Sequence, residues 1–103
     1  MESLVLDALG NPVRRDILML LADGPKHVGE LADSLPVSRP AVSRHLRQLE
    51  QAALVTSTPS GRRTVVELRY DGFEAAGVWL DAFWDHALRR FAMVAENTEE
   101  DDA

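Results

Sequence analysis

LPVSRPAVSRHLRQLEQAALV, residues 35–55, is the stretch that decides the architecture of this 103-residue chain. Pro36 disfavours helical geometry at Leu35, so the chain turns there. Ser38 then offers the short oxygen side chain that caps a helix start, and a helix is predicted over 38–53. Val42, Leu46, Leu49 and Ala53 recur along it at three- and four-residue intervals and share one face. Pro40, Ser43, Arg44, Arg47, Gln48 and Gln51 fall on the opposite face, which is almost wholly polar or cationic. Just upstream, Val28, Leu31, Ala32 and Leu35 stand at i, i+3, i+4 and i+7, which predicts a two-turn helix over about 27–34 with its stripe against a core. Two short helices joined by a three-residue turn, the second presenting Arg, Ser and Gln outward, form a helix-turn-helix, the motif that lays its second helix in the major groove of DNA.

Further upstream, Leu4, Val5, Leu6, Ala8 and Leu9 predict a short apolar helix ended by Gly10. Asn11 caps the next helix, with Pro12 at its first position, where a missing amide donor costs nothing. Val13, Ile17, Leu20 and Leu21 keep helical spacing, and Gly24-Pro25 ends this helix at about Asp23. Downstream, 54–58 and 64–70 read as two strands around Pro59-Ser60-Gly61-Arg62. Val66, Leu68 and Tyr70 alternate inward, and Val65, Glu67 and Arg69 outward. The hairpin is a wing, and Arg62 and Arg63 at its tip are placed to reach a phosphate or the adjacent minor groove. The fold class is therefore mainly α (α+β): a winged helix-turn-helix of about five helices with a two-stranded hairpin.

Asp71, followed by Glu74 three residues later, caps a last helix of roughly 25 residues, about 37 Å long. Phe73, Ala76, Gly77, Trp79, Leu80, Phe83, Trp84, Ala87, Leu88, Phe91 and Val94 cover roughly half its circumference, wider than the ~100° stripe that one-sided packing requires. One part of that arc can pack on its own domain. The rest, centred on Trp79, Leu80, Phe83, Trp84, Ala87, Leu88 and Phe91, needs another partner, of which the simplest is the same helix of a second copy. Neighbouring aromatics at such an interface can also leave a cleft for a small apolar effector. The acidic run Glu99, Glu100, Asp101, Asp102 reads as a solvated, disordered tail over 99–103. A single domain is expected over 1–98.

The formal net charge of −6 seems to argue against a nucleic-acid partner, but its distribution reverses that impression. Residues 1–36 carry six acids against Arg14, Arg15 and Lys26, and residues 71–103 carry nine against Arg89 and Arg90. The segment 37–70 holds Arg39, Arg44, Arg47, Arg62, Arg63 and Arg69 against only Glu50 and Glu67. All of its cations are arginines, whose planar fork matches phosphate and guanine edges. The chain contains no cysteine, which excludes disulfides, thiolate metal ligands and thiol redox chemistry. No stretch approaches the ~20 apolar residues that cross a bilayer, and a cytoplasmic protein, nucleoid-associated when bound to DNA, is expected. No nucleophile–base pair, glycine-rich phosphate loop or carboxylate dyad is discernible, so neither catalysis nor a cofactor is expected.

The run 35–55, preceded by LGNPVRRDILMLLADGP (9–25) and HVGELADSL (27–35), resembles the ArsR/SmtB family of winged-helix repressors over nearly the whole chain. The most specific parts are Asn11-Pro12 with Arg14-Arg15, the Ser38 to Ser43 hexapeptide, His45-Leu46 and Gly61-Arg62-Arg63. The resemblance implies a homodimeric repressor that binds a palindromic operator in double-stranded DNA, dimerising through its first helix, with Leu4, Leu6 and Leu9, and its last. It also implies that Ser38, Arg39, Pro40, Ser43, Arg44, His45 and Arg47 lie nearest the DNA, with Gln48 on the same outward face and Arg62 and Arg63 as wing contacts. Metal-sensing relatives place thiolates where this chain reads Leu31-Ala32-Asp33-Ser34. Asp81, Asp85, His86 and Glu96 only partly echo the last-helix zinc ligands, and a metal-free branch is indicated. Plainer roles stand beside these. Arg14 and Arg15 can pair with Asp7 or Asp16, Arg39 with Asp33 or Glu30, and His45 can be hydrogen-bonded at the helix boundary. The whole domain could also be a protein-interaction module working through its aromatic last helix, or an effector- or metal-responsive variant of the repressor.

Overall fold

The computed structural model describes residues 2–102, with side chains described over 3–97. The elements run α1 (Glu2–Leu9), α2 (Pro12–Leu21), β1 (Lys26–His27), α3 (Val28–Asp33), α4 (Arg39–Gln51), β2 (Val55–Ser60), β3 (Arg63–Leu68) and α5 (Tyr70–Asp102). Three helix starts carry local chemistry that the sequence announces, whereas Asp71, predicted to cap the last helix, lies inside its first turn because α5 begins at Tyr70. Asn11 Oδ1 accepts from the amides of Val13 (2.9 Å) and Arg14 (3.2 Å) with Pro12 at the helix opening, and Ser38 Oγ accepts from Ala41 N at 3.3 Å. At α3, Glu30 Oε1 accepts from the backbone N–H of His27 at 3.1 Å.

The end of α4 is less ordinary. Leu54 N donates to Leu49 O (3.0 Å) and Ala53 N to Glu50 O (2.9 Å), the paired bonds of a Schellman stop. The left-handed position belongs to Ala53, at φ 57°, where glycine is the usual occupant. Gly72, in the first turn of α5, packs onto this stop and donates its N–H to Ala53 O at 2.9 Å. A Cβ on Gly72 would lie 2.2 Å from Ala52 O, so only glycine fits.

One core unites the elements. Val5 and Ala8 of α1, Ile17, Leu18 and Leu21 of α2, Leu31 of α3 and Val42, Leu46 and Leu49 of α4 are buried together with Leu54, Val55, Val66 and Ala76. Burying each of the larger of these side chains contributes about 1.5–3 kcal/mol. The predicted inner face of the 38–53 helix is thus the face that packs, with Ala53 buried at its end.

The sheet differs from the predicted two-stranded hairpin. It has three antiparallel strands in the order β1-β3-β2, with Lys26 opposite Val66 and His27 opposite Val65. A two-residue strand has no periodicity to read, and His27 looked like the opening residue of a helix. In the hairpin itself, Val55 pairs with Leu68 and Ser60 with Arg63, so Pro59 and Ser60 are strand residues and only Gly61 and Arg62 turn. Gly61 at φ 62° occupies the first central position, the type II′ arrangement that matches strand twist. Of the residues predicted to point inward, Val66 is fully buried, whereas Leu68 is exposed and Tyr70 has left the strand to begin α5.

α5 is 33 residues long, not roughly 25, and its backbone stays helical to Asp102, through four of the five residues of the predicted disordered tail. Its share of the core comes from the first turns, where Ala76 is buried and Phe73 half-buried. From Val78 to Asn97 every residue is exposed except the half-buried Ala87. The molecule therefore measures 71 × 25 × 22 Å, with a radius of gyration of 19.3 Å. A compact chain of this length has a radius of about 13 Å.

Candidate nucleic-acid interface

The surface of α4 divides into three sectors around its buried Val42–Leu46–Leu49 face. Arg44 and Arg47 point away from the core with Pro40 and Gln51, all exposed. Arg39 and the half-buried Ser43 lie toward the wing, where they line one polar cleft with Arg62, Arg63 and Thr64 of the hairpin and His27, Glu30 and Asp33 at α3. His45 and Gln48 lie on the third sector, toward α1 and α2. Ser38 stays at the helix opening as its cap.

Arg39, Arg44, Arg47, Arg62 and Arg63 receive no hydrogen bond or ion-pair partner from the described residues, and all five are exposed. Arg39 thus lines a cleft with Glu30 and Asp33 without the ion pair that its sequence position allowed. Arg69 and, on the flanks, Arg14, Arg15 and Arg89 are engaged instead. Arg69 donates through Nε (3.0 Å) and Nη2 (2.7 Å) to Asp71 Oδ2. Arg89 pairs with Asp85 at 2.9 Å.

Arg14 and Arg15 do not pair with the Asp7 or Asp16 carboxylates. They donate to backbone carbonyls at the end of α1, Arg14 to Ala8 O (2.7 Å) and Asp7 O (2.9 Å), and Arg15 to Leu9 O (2.7 Å). Helix ends leave carbonyls without partners, and guanidiniums supply the missing donors with favourable charge. Arg14 Nη1 also donates to Gln48 Oε1 and lies 3.5 Å from His45 Nδ1. Burial and the positive charges of Arg14 and Arg44 lower the His45 pKa below its ordinary 6.5, against the opposing effect of a hydrogen bond to Gln48. These surroundings favour the neutral ring. The involvement of Gln48 with Arg14 was not readable from an outward position on a helical wheel, because the wheel does not show what a neighbouring helix projects.

The other candidate surface is apolar. Trp79, Leu80, Phe83, Trp84, Leu88 and Phe91 are exposed in the single chain, from 42% at Leu80 to 68% at Phe91. Trp79 stacks on Phe83 with ring centres 5.6 Å apart and planes at 6°, and Phe83 meets Trp84 edge-on. Leu4 and Leu6 of α1 are exposed too, whereas Leu9 packs against the core. Among the described residues no group of three or more metal-ligating side chains comes together, and no helix is long and apolar enough to cross a membrane.

A helix-turn-helix seated on its own core, with an arginine-tipped hairpin beside its second helix, is a winged helix-turn-helix. Residues 11–57, from the cap of α2 into β2, match the model of the family described as bacterial regulatory protein, arsR family. The chain is 47% identical over 94 residues to the HTH-type transcriptional regulator Rv2034 of Mycobacterium tuberculosis, covering 91% of this chain and 88% of that one. It is 42% identical over 64 residues to the HTH-type transcriptional repressor SmtB of the same species, covering 62% of this chain and 47% of the relative. The solved ArsR-like transcriptional regulator from Rhodococcus sp. RHA1 superposes with a TM-score of 0.77 at 29% identity, over 89% of this chain and 87% of that one. The chain belongs to the arsR family of bacterial regulatory proteins, and it is a DNA-binding transcriptional regulator rather than an enzyme.

Proposed function

We propose that the protein is a homodimeric repressor, built as one domain over residues 1–98, that occupies a palindromic operator and works in the cytoplasm on the nucleoid. The observation that carries this reading is the set of five exposed guanidiniums, Arg39, Arg44, Arg47, Arg62 and Arg63, left without partners by the described residues on α4 and the wing. Arginines unpaired in the free protein can exchange water for phosphate and base edges without first breaking an internal ion pair. Arg44 and Arg47 stand where a helix in the major groove meets bases. Ser38, Pro40 and Ser43 fit close to the DNA, and the wing arginines reach the flanking backbone. His45 and Gln48 support the helix from the side.

The dimer reading is supported by α5, whose apolar arc continues well past the last residue it packs on its own chain. The same arc on a second copy covers it symmetrically, with Leu4 and Leu6 of α1 alongside. Two recognition helices related by a two-fold axis then meet half-sites about one helical turn apart, or a multiple of it. Phe83, Trp84, Ala87, Phe91 and Val94, with Arg90 at the edge, line an apolar hollow on α5 that suits a small apolar effector at this interface.

Electrophoretic mobility shifts on the DNA upstream of the protein's own gene, at moderate salt with competitor DNA, test the proposal. Discrete, competitor-resistant complexes are expected. A salt-sensitive smear would instead favour a protein-interaction module acting through α5.

A further inference from the structure

Arg14 lies outside the exposed basic surface, yet it is the side chain that joins the two helices on which the proposal depends. Toward α1, its Nε donates to Ala8 O at 2.7 Å and its Nη2 to Asp7 O at 2.9 Å. Toward α4, its Nη1 donates to Gln48 Oε1 and faces His45 Nδ1 at 3.5 Å. Its own backbone N–H is held by Asn11 Oδ1 at 3.2 Å, so the guanidinium projects from a fixed helix opening. One planar group thus bonds the last carbonyls of α1 and the flank of α4 at once. Guanidinium chemistry is required for this, because five donors in a rigid fork can serve acceptors on both sides, whereas a lysine ammonium is a single point on a flexible stem. His45 turns Nδ1, rather than Nε2, toward the fork.

α1 carries Leu4 and Leu6 on its exposed side while Arg14 grips its end, and α4 carries Arg44 and Arg47 on its exposed side while Arg14 grips its flank. We infer that Arg14 is a positioning residue that fixes the angle between the dimer-forming α1 and the DNA-facing α4, and so sets which half-site separation the protein accepts. The inference rests on the homodimer reading above. Arg14 touches no base in this scheme, and its effect falls on selectivity between spacings more than on affinity for a half-site.

The test uses the full-length dimer and a set of duplexes in which the separation of two identical half-sites is stepped one base pair at a time. The wild-type protein is expected to prefer its best separation over the neighbouring ones by roughly tenfold or more, within the range of ordinary coupling. Arg14→Lys is expected to shrink that preference to about threefold or less while sedimentation still shows a dimer and circular dichroism an unchanged helix content. Gln48→Met, which removes the acceptor on α4 together with the hydrogen bond to His45, is expected to relax the preference as well, and the double variant no further than Arg14→Lys alone. An undiminished preference in Arg14→Lys overturns the inference. If that variant does not fold, an undiminished preference in Gln48→Met overturns it in the same way. A wild-type protein with no preference at all would instead sink the homodimeric operator reading.

Discussion

α4 and the distal part of α5 are both helices with surface that their own chain leaves uncovered, and they differ in what lies on it. α4 buries one face completely, with Val42 and Leu49 at 0% exposure, and presents guanidiniums on the other. α5 beyond Gly77 buries almost nothing and presents tryptophan, phenylalanine and leucine. A cationic face is stable in water and gains only when a polyanion arrives, so it can remain empty. An apolar face loses free energy with every ångström squared left wet, at about 25 cal/mol per Å². The first surface is thus suited to an intermittent partner and the second to a permanent one.

The comparison predicts separable phenotypes. The largest effect is expected from Leu80→Glu combined with Trp84→Glu. Sedimentation should show monomers, and operator affinity should fall a hundredfold or more, about 3 kcal/mol. A protein that stays dimeric would break the comparison at its apolar end. Gly72→Ala strikes the joint where the start of α5 rests on the end of α4, and chemical denaturation should show a loss of about 1–3 kcal/mol, since the new methyl meets the backbone carbonyl of Ala52. Arg44→Ala and Arg47→Ala should each weaken operator binding by about 1–3 kcal/mol if they read bases, leaving the dimer and its melting temperature unchanged. A residue that touches only phosphate would instead lower the slope of affinity against salt by about one.

Smaller effects sharpen the picture at the joint and at the flank of α4. Ala53→Gly removes a side chain from a left-handed position, and thermal unfolding should show a gain of about 1 kcal/mol. His45 brings a modest pH dependence. Because the folded ring binds its proton less tightly than the ordinary imidazole, the unfolded chain takes up a proton first as the pH falls below 6.5. Stability should therefore decline below that pH and level off once the folded ring is protonated too. His45→Gln should flatten this part of a pH-dependent denaturation series, and an unaltered profile would remove His45 as its source.

The sequence is most legible where one residue type has one physical job. Asn11, Ser38 and Gly61 occupy the cap and turn positions their chemistry suits, and Val42, Leu46 and Leu49 repeat at the helical period over a real core. The separation of Arg44 and Arg47 from that core was readable for the same reason. What escaped was set by neighbours distant in sequence. Proximity along the chain makes Asp7 or Asp16 a possible partner for Arg14, yet its guanidinium bonds the orphaned carbonyls of α1 and the side chain of Gln48. Lys26 and His27 join a sheet only because β3 passes beside them. Arg69 and Tyr70 carry the alternation of β3 two residues past its end, and nothing in a period of two marks where a strand gives way to a helix.

That brief pairing of Lys26 and His27 with Val65 and Val66 has a mechanical outcome. It ties the hairpin, through Val65 and Val66, to the segment that leads directly into α3, a restraint on how the arm bearing Arg62 and Arg63 can swing. Were the wing and α4 to hold a duplex as proposed, a groove too wide or too narrow for the distance between them would have to bend or twist to fit, and the energy of that distortion, which varies with base sequence, would be a second means of telling one DNA from another.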